Sequence, residues 1–377
     1  MSNALQAQLD ADQDTFARCT AQLAERPGPD GWQRAVEREL VVSLVRAVTA
    51  GWRQGWQPAE VVREVGRRFD ARHARMATDV AAMEMRNYAR TAVDERWQAQ
   101  LTALGAIAWW GSDEGYLERW REREHVATAT SVTCALEVLF GLATLPRLGR
   151  LCPLPGTARP GAPASQRGQG HPAGQDTLGR ARTLLAQAEA IELPEKAESL
   201  TWRAQELLAS RSMGDALATA DPGPNPRDAG GRRLFVDSPY ESAKAILLDA
   251  VAEANQCRAV WHRDLGLSTV FGFPGDLDAV ELIFASLQVQ AATAMVHADD
   301  HRGVTDASRT RSFRQSFLAS YAERIGEGLD EAAGVARRRA TAGRGGPVIL
   351  PALAARRRVV DEALVRMFPD LTQHHAA

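Results

Sequence analysis

The sequence predicts a mainly α protein: an N-terminal helical bundle, a helical hairpin, and a C-terminal α+β domain with a small β-hairpin. Three observations carry this. Apolar residues recur at three- and four-residue steps over most of the chain, which is the helical period. Two short β-favouring runs flank one turn, Cys257–Trp261 and Ser268–Phe273 around Asp264–Gly266. A stretch of 25 residues, 151–175, holds five prolines and five glycines and hardly any apolar side chain after Leu154, so it buries too little surface to offset ordering entropy. The expected division is a Trp-rich helical domain (1–150), a disordered linker (151–175), a hairpin (176–216), a second linker (217–231) and an α+β domain (232–377).

In the first part, Trp32, Val36, Leu40, Leu44 and Val48 form one apolar stripe. Gly51 and Gly55 interrupt it, and Pro58 suits the first turn of the next helix, with Val61, Val62 and Val65. A charged helical segment runs from Asp70 to Leu104, and Ser112 or Asp113 can cap a further helix that Pro146 closes off. Seven tryptophans fall in this part and read as core rings. Val126–Leu145 is long enough to cross a bilayer. Its Ala, Thr and Ser content and the central Glu137 disfavour insertion, by about 2.5–3.5 kcal/mol for the carboxylate, so it is expected to be a buried core helix. With an acidic N-terminus unlike a signal peptide, the expectation is a soluble cytoplasmic chain without membrane contact.

After the linker, Leu178, Ala181, Leu185 and Ala188 line one helix and Ala197, Leu200, Ala204 and Leu207 a second, with Pro194 in the turn. Helices are then expected over Ser242–Asn255, Leu277–Met295 (capped by Asp276), Ser312–Ala333 and Val359–Phe368. The hairpin Gly179-Arg-Ala-Arg-Thr-Leu-Leu-Ala-Gln-Ala-Glu-Ala through Leu193-Pro-Glu-Lys-Ala-Glu-Ser-Leu-Thr-Trp-Arg-Ala-Gln-Glu-Leu-Leu resembles domain of unknown function 2786, found in actinobacterial and phage proteins. Asp237-Ser-Pro-Tyr, Ala254-Asn-Gln-Cys-Arg, Thr269-Val-Phe-Gly and Arg311-Ser-Phe-Arg-Gln-Ser-Phe are similar to the region that usually follows it. The resemblance spans roughly 176–371 and implies boundaries but no activity and no catalytic residues.

Chemistry-bearing patterns are sparse. Four cysteines, Cys19, Cys134, Cys152 and Cys257, form no CxxC pair and read as reduced, mostly buried thiols. His297 and His301 stand four apart, one helical turn, but no third ligand accompanies them and the helical period fails there. Cys257 near His262 is a dyad in spacing only. Gly272-Phe-Pro-Gly275 is neither of the phosphate-loop patterns, and Gly343–Pro347 reads as a loop. Asp276, Asp278 and Glu281 do not share a helix face well enough to hold a nuclease metal. No cofactor and no metal are expected.

Charge is more informative. The net charge is −2, and lysine occurs only at Lys196 and Lys244, so 43 of 45 basic residues are arginine. Residues 221–300 carry 6 basic and 12 acidic groups, whereas 301–377 carry 13 and 8. The basic groups gather as Arg309, Arg311 and Arg314 (with Phe313 and Phe317 interleaved), as Arg337, Arg338 and Arg339, and as Arg356, Arg357 and Arg358. Guanidinium forks suit phosphate and an exposed ring stacks on a base. The leading expectation is therefore a non-catalytic binding module that contacts nucleic acid through this C-terminal face. The alternatives are a protein–protein adaptor using apolar helical grooves and, third, an unrecognised hydrolase or nuclease. The opposing expectation for the arginines is neutralisation by the acidic 221–300 segment.

Overall fold

The stripe Val36, Leu40, Leu44 and Val48 lies on one long helix, and all four side chains are buried. The computed structural model describes residues 1–25, 31–158, 172–191, 193–221, 223–225, 228–300, 307–342 and 346–369. They form two units, Met1–Ala164 and Ser165–Ala377, with fourteen α-helices and a three-stranded antiparallel sheet among the described residues.

The first unit is helical: α1 (Ser2–Leu9), α2 (Gln13–Glu25), α3 (Trp32–Arg53), α4 (Pro58–Arg68), α5 (Ala71–Met85), α6 (Glu95–Ala103), α7 (Tyr116–Glu124) and α8 (Thr128–Ala143). Pro58 starts α4 as its first residue, and a Gln57/Glu60 capping box closes its free amides. Asp70 caps α5 by accepting from the Arg72 and His73 amides. The charged segment 70–104 is not one helix. It breaks after Met85, and Asp94 caps a new helix.

Five of the seven tryptophans here, Trp52, Trp56, Trp97, Trp110 and Trp120, are buried. Trp52 meets Trp97 edge to face at 5.0 Å, and the buried Glu84 accepts from Trp52 Nε1 (3.0 Å) and the Tyr88 hydroxyl (2.6 Å). The apolar segment 126–145 is α8, whose Val132, Leu136 and Val138 are buried in this unit. Among the described residues one helix, Pro274–Ala298 of the second unit, is long and apolar enough to cross a membrane, and 44% of its apolar 18-residue window is buried.

His73 ties α5 to α8. Its imidazolium donates from Nδ1 to Asp70 Oδ1 and from Nε2 to Glu137 Oε2, both at 2.8 Å. Burial disfavours the charge, but the bonds to Glu137 and Asp70 outweigh it and raise the His73 pKa above 6.5. The folded state therefore holds this proton more tightly than the unfolded chain. The stabilisation is full below about pH 6.5 and fades as pH climbs through the raised value. His73→Gln is expected to flatten the pH dependence of the first unit's denaturation midpoint above about pH 6.5; a variant with the wild-type pH profile would contradict this.

The second unit comprises α9 (Pro172–Glu189), α10 (Pro194–Ala218), β1 (Gly230–Phe235), α11 (Glu241–Ala254), β2 (Arg258–His262), β3 (Leu267–Gly272), α12 (Pro274–Asp300), α13 (Ala307–Thr341) and α14 (Gly346–Met367). The expected hairpin is β2–β3, joined by a turn in which Gly266 takes φ +56°. β3 is the central, fully buried strand, with order β1-β3-β2. β1 was not expected. Its Gly-Gly-Arg-Arg-Leu-Phe has no alternation, because it is an edge strand whose Arg232 reaches Asp278 (2.9 Å) and Glu281 (2.5 Å) on α12.

Two boundaries differ from expectation. Residues 151–158 are packed on the first unit: Cys152 is buried and receives the Trp97 indole N–H at 2.7 Å, and Gly156 N donates to Ala92 O. The 172–175 end of the expected linker already belongs to α9, and 159–171 lies outside the described residues. The α9–α10 hairpin is no separate domain. Ala181, Leu185, Ala204 and Leu208 share one core with Val251, Val270, Ile283 and Leu329, because an Ala/Leu seam between two helices is too narrow to bury itself.

Candidate anion-binding groove

The nine C-terminal arginines do not form one stripe. Arg311 and Arg338 stand 27 residues apart on a single helix, about 40 Å at 1.5 Å per residue. Arg311 is exposed, Arg314 is half-buried and already engaged within the chain, and the Arg309 side chain lies outside the described ones. The aromatics beside them are a packing stripe: Phe313 meets Phe317 at 6.1 Å, Phe317 stacks on Tyr321 at 6.3 Å, and Phe317 packs against the core.

Arg356 is a correction to the expected face. It is 5% exposed, donates from Nη2 to Asp276 Oδ2 at 2.7 Å, and lies 4.1 Å over the Phe273 ring. Asp276 is 3% exposed; burial raises its pKa and the guanidinium opposes that rise. The pair joins α14 to the start of α12 and offers nothing to a ligand. Arg357 lies 3.6 Å from Glu253, which realises part of the expected intramolecular neutralisation, while Arg358 is exposed.

Other expected constellations resolve similarly. Cys257 is fully buried, and burial pushes its thiol up. Five positions on, His262 bonds Thr269 Oγ1 at 2.9 Å; burial and then Arg233 lower its pKa. An odd spacing on a strand puts the two on opposite faces, so no dyad forms. His301 and residues 343–345 lie outside the described residues, and among those described no group of three metal-ligating side chains gathers. Asp278 and Glu281 hold Arg232 while Asp276 turns inward to Arg356.

The third arginine cluster leads to a site. Arg337, Arg338 and Arg339 are exposed on the last turns of α13. Arg339 reaches a groove of about 680 Å³ along the α9–α10 hairpin. From α9 come Arg180, Thr183, Leu184 and Gln187; from α10 come Arg203, Glu206, Leu207 and Ser210. Both sets follow steps of three, one and three residues, so each helix turns one face to the groove. That face lies beside the Ala181/Leu185 and Ala204/Leu208 faces that seal the core, and core packing therefore fixes the groove's orientation.

Three guanidinium groups from three helices and one carboxylate line the groove among the described residues. Glu206 Oε2 accepts from Arg339 Nη1 at 2.6 Å, while Arg180 and Arg203 are exposed and make no ion pair among the described residues. The lining carries a net charge of +2 (three arginines less one glutamate). Thr183, Gln187 and Ser210 add neutral hydrogen-bonding groups over a Leu184/Leu207 floor. Such a surface offers bidentate donors to phosphate-type oxygens with little intramolecular competition.

Sequence reasoning missed Arg180 and Arg203, because the hairpin segment sums to −2 with 5 basic and 7 acidic groups over 176–220. The shared spacing on the two helices was the signal that separates them from Glu189, Glu195 and Glu198, none of which lines the groove. No family model, curated protein or solved structure matches this chain.

Proposed function

We propose that this chain is a non-catalytic nucleic-acid-binding module in which the α9–α10 groove, completed by Arg339, takes the phosphodiester backbone. The observation that carries the reading is the convergence of Arg180, Arg203 and Arg339 on one groove whose described lining holds a single carboxylate. Arg337 and Arg338 extend the positive surface along the end of α13. Recognition of this kind reads charge and not sequence, since guanidinium–phosphate contacts position a strand without selecting bases. The proposal places the α9–α10 hairpin, with Arg339 beside it, at the centre of the activity instead of the other, dispersed arginines of α13 and α14.

The test is retention of labelled single- and double-stranded DNA and RNA at low ionic strength. The wild-type chain is expected to hold at least one polymer, and Arg180→Ala with Arg203→Ala is expected to weaken binding at least tenfold. Both residues are exposed, so the fold should survive. Absence of binding to every polymer would remove the reading.

A protein–protein adaptor is favoured by one separate observation. On α12, Val289 and Val296 are 47% and 56% exposed, with exposed Ala285 and Ala292 on the same stripe. A partner whose co-purification survives the double arginine substitution but is lost on Val289→Asp would support that second reading.

A further inference from the structure

The first unit has its own cationic concavity, built from a different part of the sequence. Arg53 and Gln54 at the end of α3 and Arg147, Leu148 and Arg150 in the segment after α8 enclose about 540 Å³. All three arginines are exposed, and among the described residues none of them makes an ion pair and no carboxylate lines the space. Arg53 does act electrostatically on the buried Glu84, but Glu84 is already bonded to Trp52 and Tyr88 and faces the core. Residues 159–171 bring Arg159 and Arg167 and no acidic residue, so they supply no counter-charge either.

The concavity is pre-shaped by backbone contacts. Leu148 N donates to Gln54 O at 2.8 Å, and the Trp56 indole N–H donates to Pro146 O at 2.7 Å. Gly55, at φ +95°, lets the two segments approach so closely that a Cβ there would lie 2.2 Å from Leu148 O. The arginines therefore stand on a clamped frame, and less freedom is lost when they bind. Gln54 Oε1 is buried on the same wall without a hydrogen-bond partner; rotating the amide half a turn would present its N–H groups instead.

We infer that this concavity is a second, independent site for phosphate-bearing polyanions. Three exposed guanidinium groups, without an ion pair among the described residues, match the clustered oxygens of an oligophosphate or of adjacent phosphodiesters. The site itself stands on the geometry above; only the choice of a nucleic-acid strand as its source rests on the reading proposed for the α9–α10 groove. With a strand as ligand the chain has two anchor points, and overall affinity exceeds that of either site wherever one strand reaches both.

The test uses the full-length chain with inorganic tripolyphosphate, followed by calorimetry, and a labelled 20-nucleotide strand, followed by anisotropy. In the Arg180→Ala/Arg203→Ala background, tripolyphosphate binding is expected to persist and then to fall at least tenfold on Arg53→Ala, Arg147→Ala and Arg150→Ala together. The same triple substitution in the wild-type chain should make the salt dependence of strand binding shallower by about 2–3 log units per log unit. Arg53→Lys, Arg147→Lys and Arg150→Lys should restore part of both. Loss of tripolyphosphate with strand binding unchanged, or with no strand bound by the wild type, assigns the site to free oligophosphates and leaves it standing. Unchanged tripolyphosphate binding overturns the inference whatever the strand does. So does an equal loss from Arg34→Ala, Arg38→Ala and Arg119→Ala, three exposed arginines elsewhere in the unit.

Discussion

Replacing Arg356 by alanine is expected to cost the second unit about 3–5 kcal/mol, because it strands a buried carboxylate without its partner. Asp276 and Arg356 are 3% and 5% exposed, so solvent screening does little to soften the loss. For a unit of this size that corresponds to a melting temperature lower by roughly 6–20 °C. The cost belongs to the broken pair and not to the pair's net worth, since two charges desolvated together gain little over a well-packed apolar contact. Asp276→Leu combined with Arg356→Met should therefore recover most of the stability lost by Arg356→Ala. A drop below about 1 kcal/mol, which is typical of exposed pairs, would contradict the burial. The experiment also separates architecture from function: any loss of binding by an Arg356 variant reflects unfolding.

The second large effect is expected at Gly55. Its φ of +95° costs an L-residue roughly 1–2 kcal/mol, and an alanine Cβ would stand 2.2 Å from Leu148 O and 2.9 Å from its carbonyl carbon. These are backbone atoms held by the Leu148 N–Gln54 O hydrogen bond, so the 146–150 segment must move as a whole. Gly55→Ala is expected to cost about 3 kcal/mol or more in the first unit and to disperse the Arg53/Arg147/Arg150 concavity. Gly105→Ala is the comparison: φ is +62° but nothing lies within 4 Å, so only the conformational term of about 1 kcal/mol remains. Equal denaturation midpoints for the two variants would contradict the close approach.

How much of this was readable beforehand depended on whether a signal was local. The helical stripe of α3, the Pro58 start of α4, the Asp70 cap and the β2–β3 hairpin rest on neighbours a few residues apart, and all are legible in the order of side chains. Helix ends were less so. α13 extends to Thr341, beyond the apolar stretch that revealed it, since its polar last turns carry no period, and α14 starts at Gly346, in an apolar stretch where Pro347 and Pro351 read as breaks although the helix runs through Pro351. β1 lacked alternation because its Arg232 answers to Asp278 and Glu281, nearly fifty residues away. The arginine clusters failed for the same reason. Consecutive Arg356, Arg357 and Arg358 point in different directions around a helix, so one is buried on Asp276, one approaches Glu253 and one is exposed. Conversely, Arg180, Arg203 and Arg339 are far apart in sequence and meet only because α9, α10 and α13 pack around one core.

The most direct test of the groove is the slope of log affinity against log salt for a nucleic-acid strand, measured on the wild type and on Arg180→Ala/Arg203→Ala. Two lost phosphate contacts should make that slope shallower by about 1.4–1.8, from roughly 0.7 per contact on a single strand to 0.9 on a duplex. Parallel slopes in the two proteins would show that the groove touches no phosphate.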